Sequence, residues 1–262
     1  AKSATKKAFI LTAECAKKFG PKTITLTQFG TFYEVYSLEI IKNETIKYIG
    51  SLFEEFMEIC FLEKAHKNCK AIKKDTGEVC KIYFAGFNTV KLEKYLFTLR
   101  KSNYTVAVYD QERPGIDSPR ILKGVYSPGT HFSESTEVIS TKKIITNSIS
   151  CIWIETSKEI IVIGVSNMDI FTGETFIFEY TEENIKSASI YDELVRFISQ
   201  FNPSEIIIIS DLPQNIINDL KFILNINNKA VHELNNKKNK KVKNCTKQTY
   251  QKTLLEKFYD FD

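Results

Sequence analysis

QFGTFYEVY, residues Gln28 to Tyr36, is the stretch on which the reading of this chain turns. Residues alternate from Ile24 to Tyr36 with Gly30-Thr31 in the middle, a pattern that predicts strand, tight turn and strand. A two-residue loop led by glycine fits a type II′ hairpin turn, whose first central residue needs a positive φ. With Gly30-Thr31 as the turn, Phe29 and Phe32 face each other on one side of the ribbon. The period of two then puts Thr25, Thr27, Glu34 and Tyr36 on that same side. Ile24, Leu26, Tyr33 and Val35 fall on the other side, where they can serve a core. Two phenylalanines and a carboxylate therefore project together from a hairpin tip.

Outward from the hairpin, residues 4–18 read as a helix stopped by Gly20-Pro21. Apolar residues at Leu52, Phe53, Phe56, Met57, Cys60 and Phe61 predict a helix over 50–68. A hairpin turning at Asp75-Thr76-Gly77 follows, then a helix over 92–102, a strand over 104–109, a Pro/Gly loop over 113–119 and a strand over 120–126. The polar run HFSESTEVISTKK after Thr130 marks a domain boundary. Segments 150–154, 159–165 and 174–180 form a three-strand meander. A helix over 191–201 and a strand over 205–210 complete a second α/β layer. Residues 235–247 are a Lys-rich loop, and TLLEKFYDFD closes the chain as an amphipathic segment. The fold class is mixed α/β.

A chain of 262 residues is long enough for about two domains, each with its own core. With 43% hydrophobic and 26% charged residues it reads as soluble and globular, and its apolar runs fall far short of a membrane span. The first residues lack the apolar core of a secretory signal. A net charge of +4 excludes a wholesale polycation, so nucleic-acid binding would rest on local patches. Six cysteines without framework spacing read as reduced thiols, hence an intracellular protein. Cytoplasm, mitochondrion and viral factory stay open as compartments.

An exposed aromatic at a hairpin tip can stack on a base or wedge into a base step. Such stacking contributes about 1–3 kcal/mol per base, while unstacking a step costs a few kcal/mol. For intact duplex the two nearly cancel; a mispaired base is already partly unstacked, so the balance tips toward binding. Glu34 lowers general affinity for phosphates, so its value must be selective, a hydrogen bond to one base edge. The bland alternative makes Phe32 a core residue and Glu34 an ordinary surface acid. Elsewhere, Cys60, His66, Cys69 and Cys80 match no standard zinc spacing and read as idle thiols. GPKT (20–23) lacks the Gly-Lys adjacency of a phosphate loop and precedes a strand. The run Lys237-Lys238-Asn239-Lys240-Lys241-Val242-Lys243 could contact phosphates but reads as a solvated loop, as does the face of Lys91, Lys94, Arg100 and Lys101.

GTFYEVY resembles the signature of the MutS family of DNA mismatch-repair proteins, Gly-x-Phe-Tyr-Glu-hydrophobic-aromatic. The resemblance continues through GFNTVKLEKYLFTLRKSNYTVAVYDQ (86–111), VYSPGT (125–130) and YDELVRFISQFNPSEIIIIS (191–210), and so covers nearly the whole chain. It departs from the usual pattern at Thr31, where the family has an acid, and at Phe87-Asn88-Thr89. The 69–80 hairpin resembles the divergent branch of giant viruses and octocoral mitochondria.

The resemblance implies a mismatch-recognition domain over 1–139, a mixed sheet with flanking helices. It further implies an RNase H-like connector domain over 140–245 and the start of a linker over 246–262. Phe32 would enter from the minor groove and stack on a mispaired or unpaired base, and Glu34 would hydrogen-bond that base. Phe29 would abut the opened step, and Arg120 falls where the family has a basic residue near DNA. Minor-groove entry suits a sensor that must ignore sequence, because that groove's pattern is degenerate. Expected partners are double-stranded DNA with mismatches or small loops, downstream repair proteins at the connector, and a second subunit joined through C-terminal domains; no membrane is expected. The fragment is expected to be no enzyme, with no cofactor, metal or catalytic residue; ATP and Mg belong to the ATPase of a full-length parent. Two alternatives remain: a metal-dependent nuclease built on Glu155, Asp169, Asp192 and Asp211, and a MutS-like binder of branched DNA, whose relatives usually lack the Phe-x-Glu pair.

Overall fold

The computed structural model describes residues 2–42, 45–50, 52–72, 79–115, 118–130, 148–157, 160–183, 187–240 and 242–257. The chain divides into two compact units, Ala1–Lys142 and Lys143–Asp262. The expected turn at 75–77 and the boundary at 139/140 lie outside the described residues.

The first unit runs α1 (Lys2–Phe19), β1 (Thr23–Phe29), β2 (Phe32–Lys42), β3 (Thr45–Ile49), α2 (Phe53–Cys60), β4 (Ala65–Ile72), β5 (Val79–Asn88), α3 (Leu92–Lys101), β6 (Thr105–Gln111) and β7 (Arg120–Tyr126). Its sheet has the order β4-β5-β2-β1-β6-β7, with β3 also paired to β2. β1 and β6 run parallel and the other pairs antiparallel, so the sheet is mixed.

Alternation along the hairpin sorts its side chains between two faces. Ile24, Leu26, Tyr33 and Val35 are buried with Phe53, Phe56 and Cys60 of α2 and Leu92, Leu96 and Leu99 of α3. Burying each such large apolar side chain contributes about 1.5–3 kcal/mol. On the opposite face α1 lays Ala8 against Tyr36 and Ile82, with Phe9, Phe29 and Phe84 alongside.

Two expectations need correction here. The helix expected over 50–68 stops at Cys60, because Phe61 takes a left-handed conformation (φ 52°) and Leu62 N–H returns to Met57 O at 3.0 Å. Residues 65–68 consequently belong to β4, whose pairing with β5 outweighs the helical spacing. Arg100, expected on a solvated face, is buried in α3, and desolvation lowers its pKa.

The second unit comprises β8 (Ser148–Ser157), β9 (Ile160–Asp169), β10 (Thr175–Glu182), α4 (Asp192–Phe201), β11 (Glu205–Ser210), α5 (Gln214–Ile223), β12 (Ala230–Leu234) and α6 (Gln248–Leu255). The expected meander β8-β9-β10 is antiparallel, and β11 lies parallel between β8 and β12, giving the order β10-β9-β8-β11-β12. Ile152, Ile154, Ile161, Ile163, Ile206 and Ile208 meet Leu194 and Ile198 of α4 and Ile217 and Leu220 of α5 in one core. The Lys-rich loop is pinned by buried Val242, and Lys237 pairs with Asp211. Burial pushes the Cys60 thiol up to about 12 and that of Cys151 to about 11.

Candidate nucleic-acid interface

The hairpin turns as its sequence dictates. Phe29 pairs with Phe32, Gln28 with Tyr33 and Thr27 with Glu34. Gly30 has φ +61° while Thr31 is not among the positive-φ residues, the combination that a type II′ turn requires.

Three neighbours brace this turn. Gln111, the last residue of β6, accepts the Gly30 N–H through Oε1, and its own backbone N–H donates to Gln28 Oε1 at 2.8 Å. Gln28 Nε2 donates to Gly30 O at 2.9 Å, and Gln111 Nε2 to Gly115 O at 2.8 Å. From the other flank, Thr89 N–H donates to Thr31 O at 2.8 Å.

On this braced turn Phe32 stays 46% exposed. That exposure, at the first residue of β2, separates Phe32 from the core residues of the sheet. Phe29 behaves differently: its ring lies 5.2 Å from that of Tyr36, and the Arg120 guanidinium carbon sits 4.7 Å from its centre. It supports the tip from beneath rather than projecting with Phe32. Arg120 Nη1 donates to Ser118 O, whereas Nε and Nη2 have no partner among the described residues. Desolvation lowers the Arg120 pKa, opposed by Tyr36. Gln28, Phe29, Gly30, Thr31, Gln111, Arg113 and Arg120 line a groove of about 590 Å³ beside the turn.

Glu34 sits two residues along from Phe32 on the same face, directly opposite Gly86. A Cβ at position 86 would lie 2.4 Å from Tyr33 O and 3.0 Å from Glu34 Cγ, so only glycine allows this approach. The Tyr36 hydroxyl donates to Glu34 Oε2, and Lys67 Nζ stands 3.8 Å from that oxygen. Burial raises the Glu34 pKa, opposed by the Tyr36 hydrogen bond and the Lys67 charge.

The four expected site residues, Phe29, Phe32, Glu34 and Arg120, thus lie around one hairpin tip. Sequence reading missed Gln28 and Gln111 as braces and Lys67 as a partner of Glu34. The Gln at the end of β6 was visible in the sequence without a role; Lys67 carried no signal, because a register shift between His66 and Lys70 sets its place.

Among the described residues no group of three His, Cys, Asp or Glu side chains could hold a metal ion. The carboxylates of the nuclease alternative do not converge. Asp169 pairs opposite Ser148, whereas Glu155 lies seven positions farther along β8, roughly 23 Å away at a strand's rise. Asp169 instead caps its own turn, accepting the Phe171 and Thr172 N–H groups at 2.8 and 2.9 Å. No described helix is long and apolar enough to cross a membrane.

An exposed ring on a braced turn, a held carboxylate beside it and a groove lined by Arg113 and Arg120 make this tip the candidate interface. No family model matches the chain. It is 29% identical over 219 residues to a DNA mismatch repair protein mutS homolog of Acanthamoeba polyphaga mimivirus, covering 80% of this chain and 18% of that protein. It is 31% identical over 177 residues to DNA mismatch repair protein MutS of Prochlorococcus marinus, covering 64% of this chain and 18% of that one. A third match, 27% over 192 residues, is MutS of Clostridium tetani, covering 69% and 19%. The chain is thus similar to a part of MutS proteins and spans about a fifth of the length of those it matches.

Proposed function

We propose that this chain is the mismatch-reading module of a MutS-like mismatch-repair ATPase, with double-stranded DNA carrying a mispair or small loop as its ligand. Phe32 enters from the minor groove and stacks on the weakly paired base, Glu34 hydrogen-bonds that base, and Arg120, packed over the Phe29 ring, places a positive charge beside the DNA. The observation that carries this reading is the exposure of Phe32, 46%, on a turn tethered from both sides. A ring presented this way enters a base step only where unstacking is cheap.

The second unit is the connector domain. Its order, three antiparallel strands followed by two parallel ones beside the first, supports the RNase H-like assignment. Its part is to relay the DNA-bound state to the lever and ATPase domains of the parent, where ATP and Mg are bound. The parent dimerises through those domains, and downstream repair proteins dock on the connector.

The test is fluorescence-anisotropy binding by the full-length protein, wild type and Phe32→Ala. The ligands are a homoduplex and the same duplex with a G·T pair or an unpaired T, at fixed salt. Loss of base stacking predicts a fall in mismatch affinity of roughly 5- to 150-fold with homoduplex affinity kept. Equal binding of both duplexes by both proteins overturns the reading.

A further inference from the structure

Lys67 is set among three aromatic rings of the tip. Its Nζ lies 4.5 Å from the Tyr36 ring centre, 5.0 Å from Phe29 and 5.3 Å from Phe84, and it donates to the Tyr36 hydroxyl. That hydroxyl in turn donates to Glu34 Oε2, so lysine, tyrosine and carboxylate form one directed chain. Lys67 Nζ also stands 3.8 Å from the same oxygen. Both interactions fall on Oε2 and neither on Oε1.

Resting on the mismatch-reading function proposed above, we infer that Lys67 and Tyr36 are positioning residues: they hold Glu34 Oε2 so that Oε1 faces a base edge. A free glutamate has three rotatable bonds and loses that freedom when it meets a ligand. Here the loss is already taken in the folded protein. The ammonium also offsets the repulsion between a carboxylate and nearby phosphates, which would otherwise weaken binding to every sequence. Its three rings fix where it stands, since a cation over aromatic faces is held by their quadrupoles. The titratable and charged groups facing Glu34 are Tyr36 on its own strand and Lys67 from β4; Arg120 from β7 faces Tyr36 and Phe29.

The test pairs a DNA-free measurement with a binding one. In the 262-residue chain, the Glu34 carboxyl carbon is titrated by NMR in wild type, Lys67→Met, Lys67→Arg and Tyr36→Phe. In the full-length protein, the ratio of mismatch to homoduplex affinity is measured for the same variants, alone and in a Glu34→Gln background. Lys67→Met and Tyr36→Phe are expected to raise the Glu34 titration midpoint, and Lys67→Arg to restore it. Lys67→Met is expected to lower the affinity ratio about tenfold, the worth of one hydrogen bond to a charged group, with no further loss once residue 34 is Gln. An unmoved Glu34 midpoint overturns the inference. So does an equal fall of the ratio in the Glu34→Gln background, which would make Lys67 act independently of Glu34. If Phe32→Ala and Glu34→Gln leave the ratio unchanged, the mismatch-reading function falls, and with it the base-edge half of the inference, while the titration still decides whether Lys67 holds Glu34.

Discussion

Gly86→Ala is the smallest change that strikes the tip from behind. The added methyl would stand 2.4 Å from Tyr33 O, 3.0 Å from Glu34 Cγ and 3.2 Å from Glu34 Cα. Ordinary van der Waals contact begins near 3.4 Å, so β5 must retreat from β2 by about 1 Å at this point. The nearest atom is a backbone oxygen, which cannot swing aside as a side chain could. Overpacking of this kind costs about 1–3 kcal/mol, and each ladder hydrogen bond stretched by the retreat adds about 1 kcal/mol. A total of roughly 2–4 kcal/mol lowers the melting temperature of a unit this size by roughly 10 °C. Thermal unfolding followed by circular dichroism reads the first effect, and the mismatch-to-homoduplex ratio reads the displacement of Glu34. A variant that melts within about 2 °C of wild type and keeps the ratio would refute the close approach of the two strands.

Three further outcomes follow from the same geometry. Gln111→Ala removes the acceptor of the Gly30 N–H and the donor to Gly115 O. It should cost about 1–2 kcal/mol in urea unfolding and lower mismatch preference more than homoduplex affinity. Phe61→Gly relieves a left-handed non-glycine residue that is 94% exposed, and should raise stability by up to about 1 kcal/mol; a loss in thermal unfolding would count against that strain. Glu34→Gln tests the charge: burial raises the Glu34 pKa, so the folded state holds the proton more tightly than the unfolded chain. Wild-type stability therefore declines as pH rises through the folded-state titration, and the variant should lack that decline. Urea unfolding across the carboxylate range should show the two curves diverging toward neutral pH.

Much of the fold was legible because alternation is a local signal. Ile24 to Tyr36 announced both strands, and Gly30 fixed the register that puts Phe29 opposite Phe32. Strand β11 over Glu205–Ser210 was legible for a different reason, an unbroken apolar run of the kind that buried parallel strands show. The end of α2 was not legible, since its stop is a phenylalanine in a conformation that normally selects glycine or asparagine. Helix α5 and strand β12 went unassigned: QNIINDLKFI opens after Pro213 with no side-chain cap, and AVHEL is short. Burial of Arg100 escaped because its charge spoke for solvent while its place on α3 put it inward. At the tip, spacing put Phe32 and Glu34 on one face and the family resemblance singled them out, but the bracing contacts join residues as far apart as Gln28 and Gln111, a separation no local pattern reports.

Those bracing contacts decide whether a single ring can discriminate at all. Stacking contributes about 1–3 kcal/mol, and fixing one flexible backbone residue costs about 1–2 kcal/mol. A free four-residue tip over 28–31 would therefore lose roughly 4–8 kcal/mol on engaging DNA, more than the ring returns. Gln28, Gln111 and Thr89 remove that cost beforehand by holding Gly30 and Thr31 in the folded protein. With the protein rigid, deformation falls on the duplex, and its cost varies with how well the bases are paired. A soft tip would adapt to every site and read none. On the function proposed above, the rigid one would convert weak pairing into binding, and Glu34, already held on the same face, would add its hydrogen bond only after Phe32 had found a step that opens.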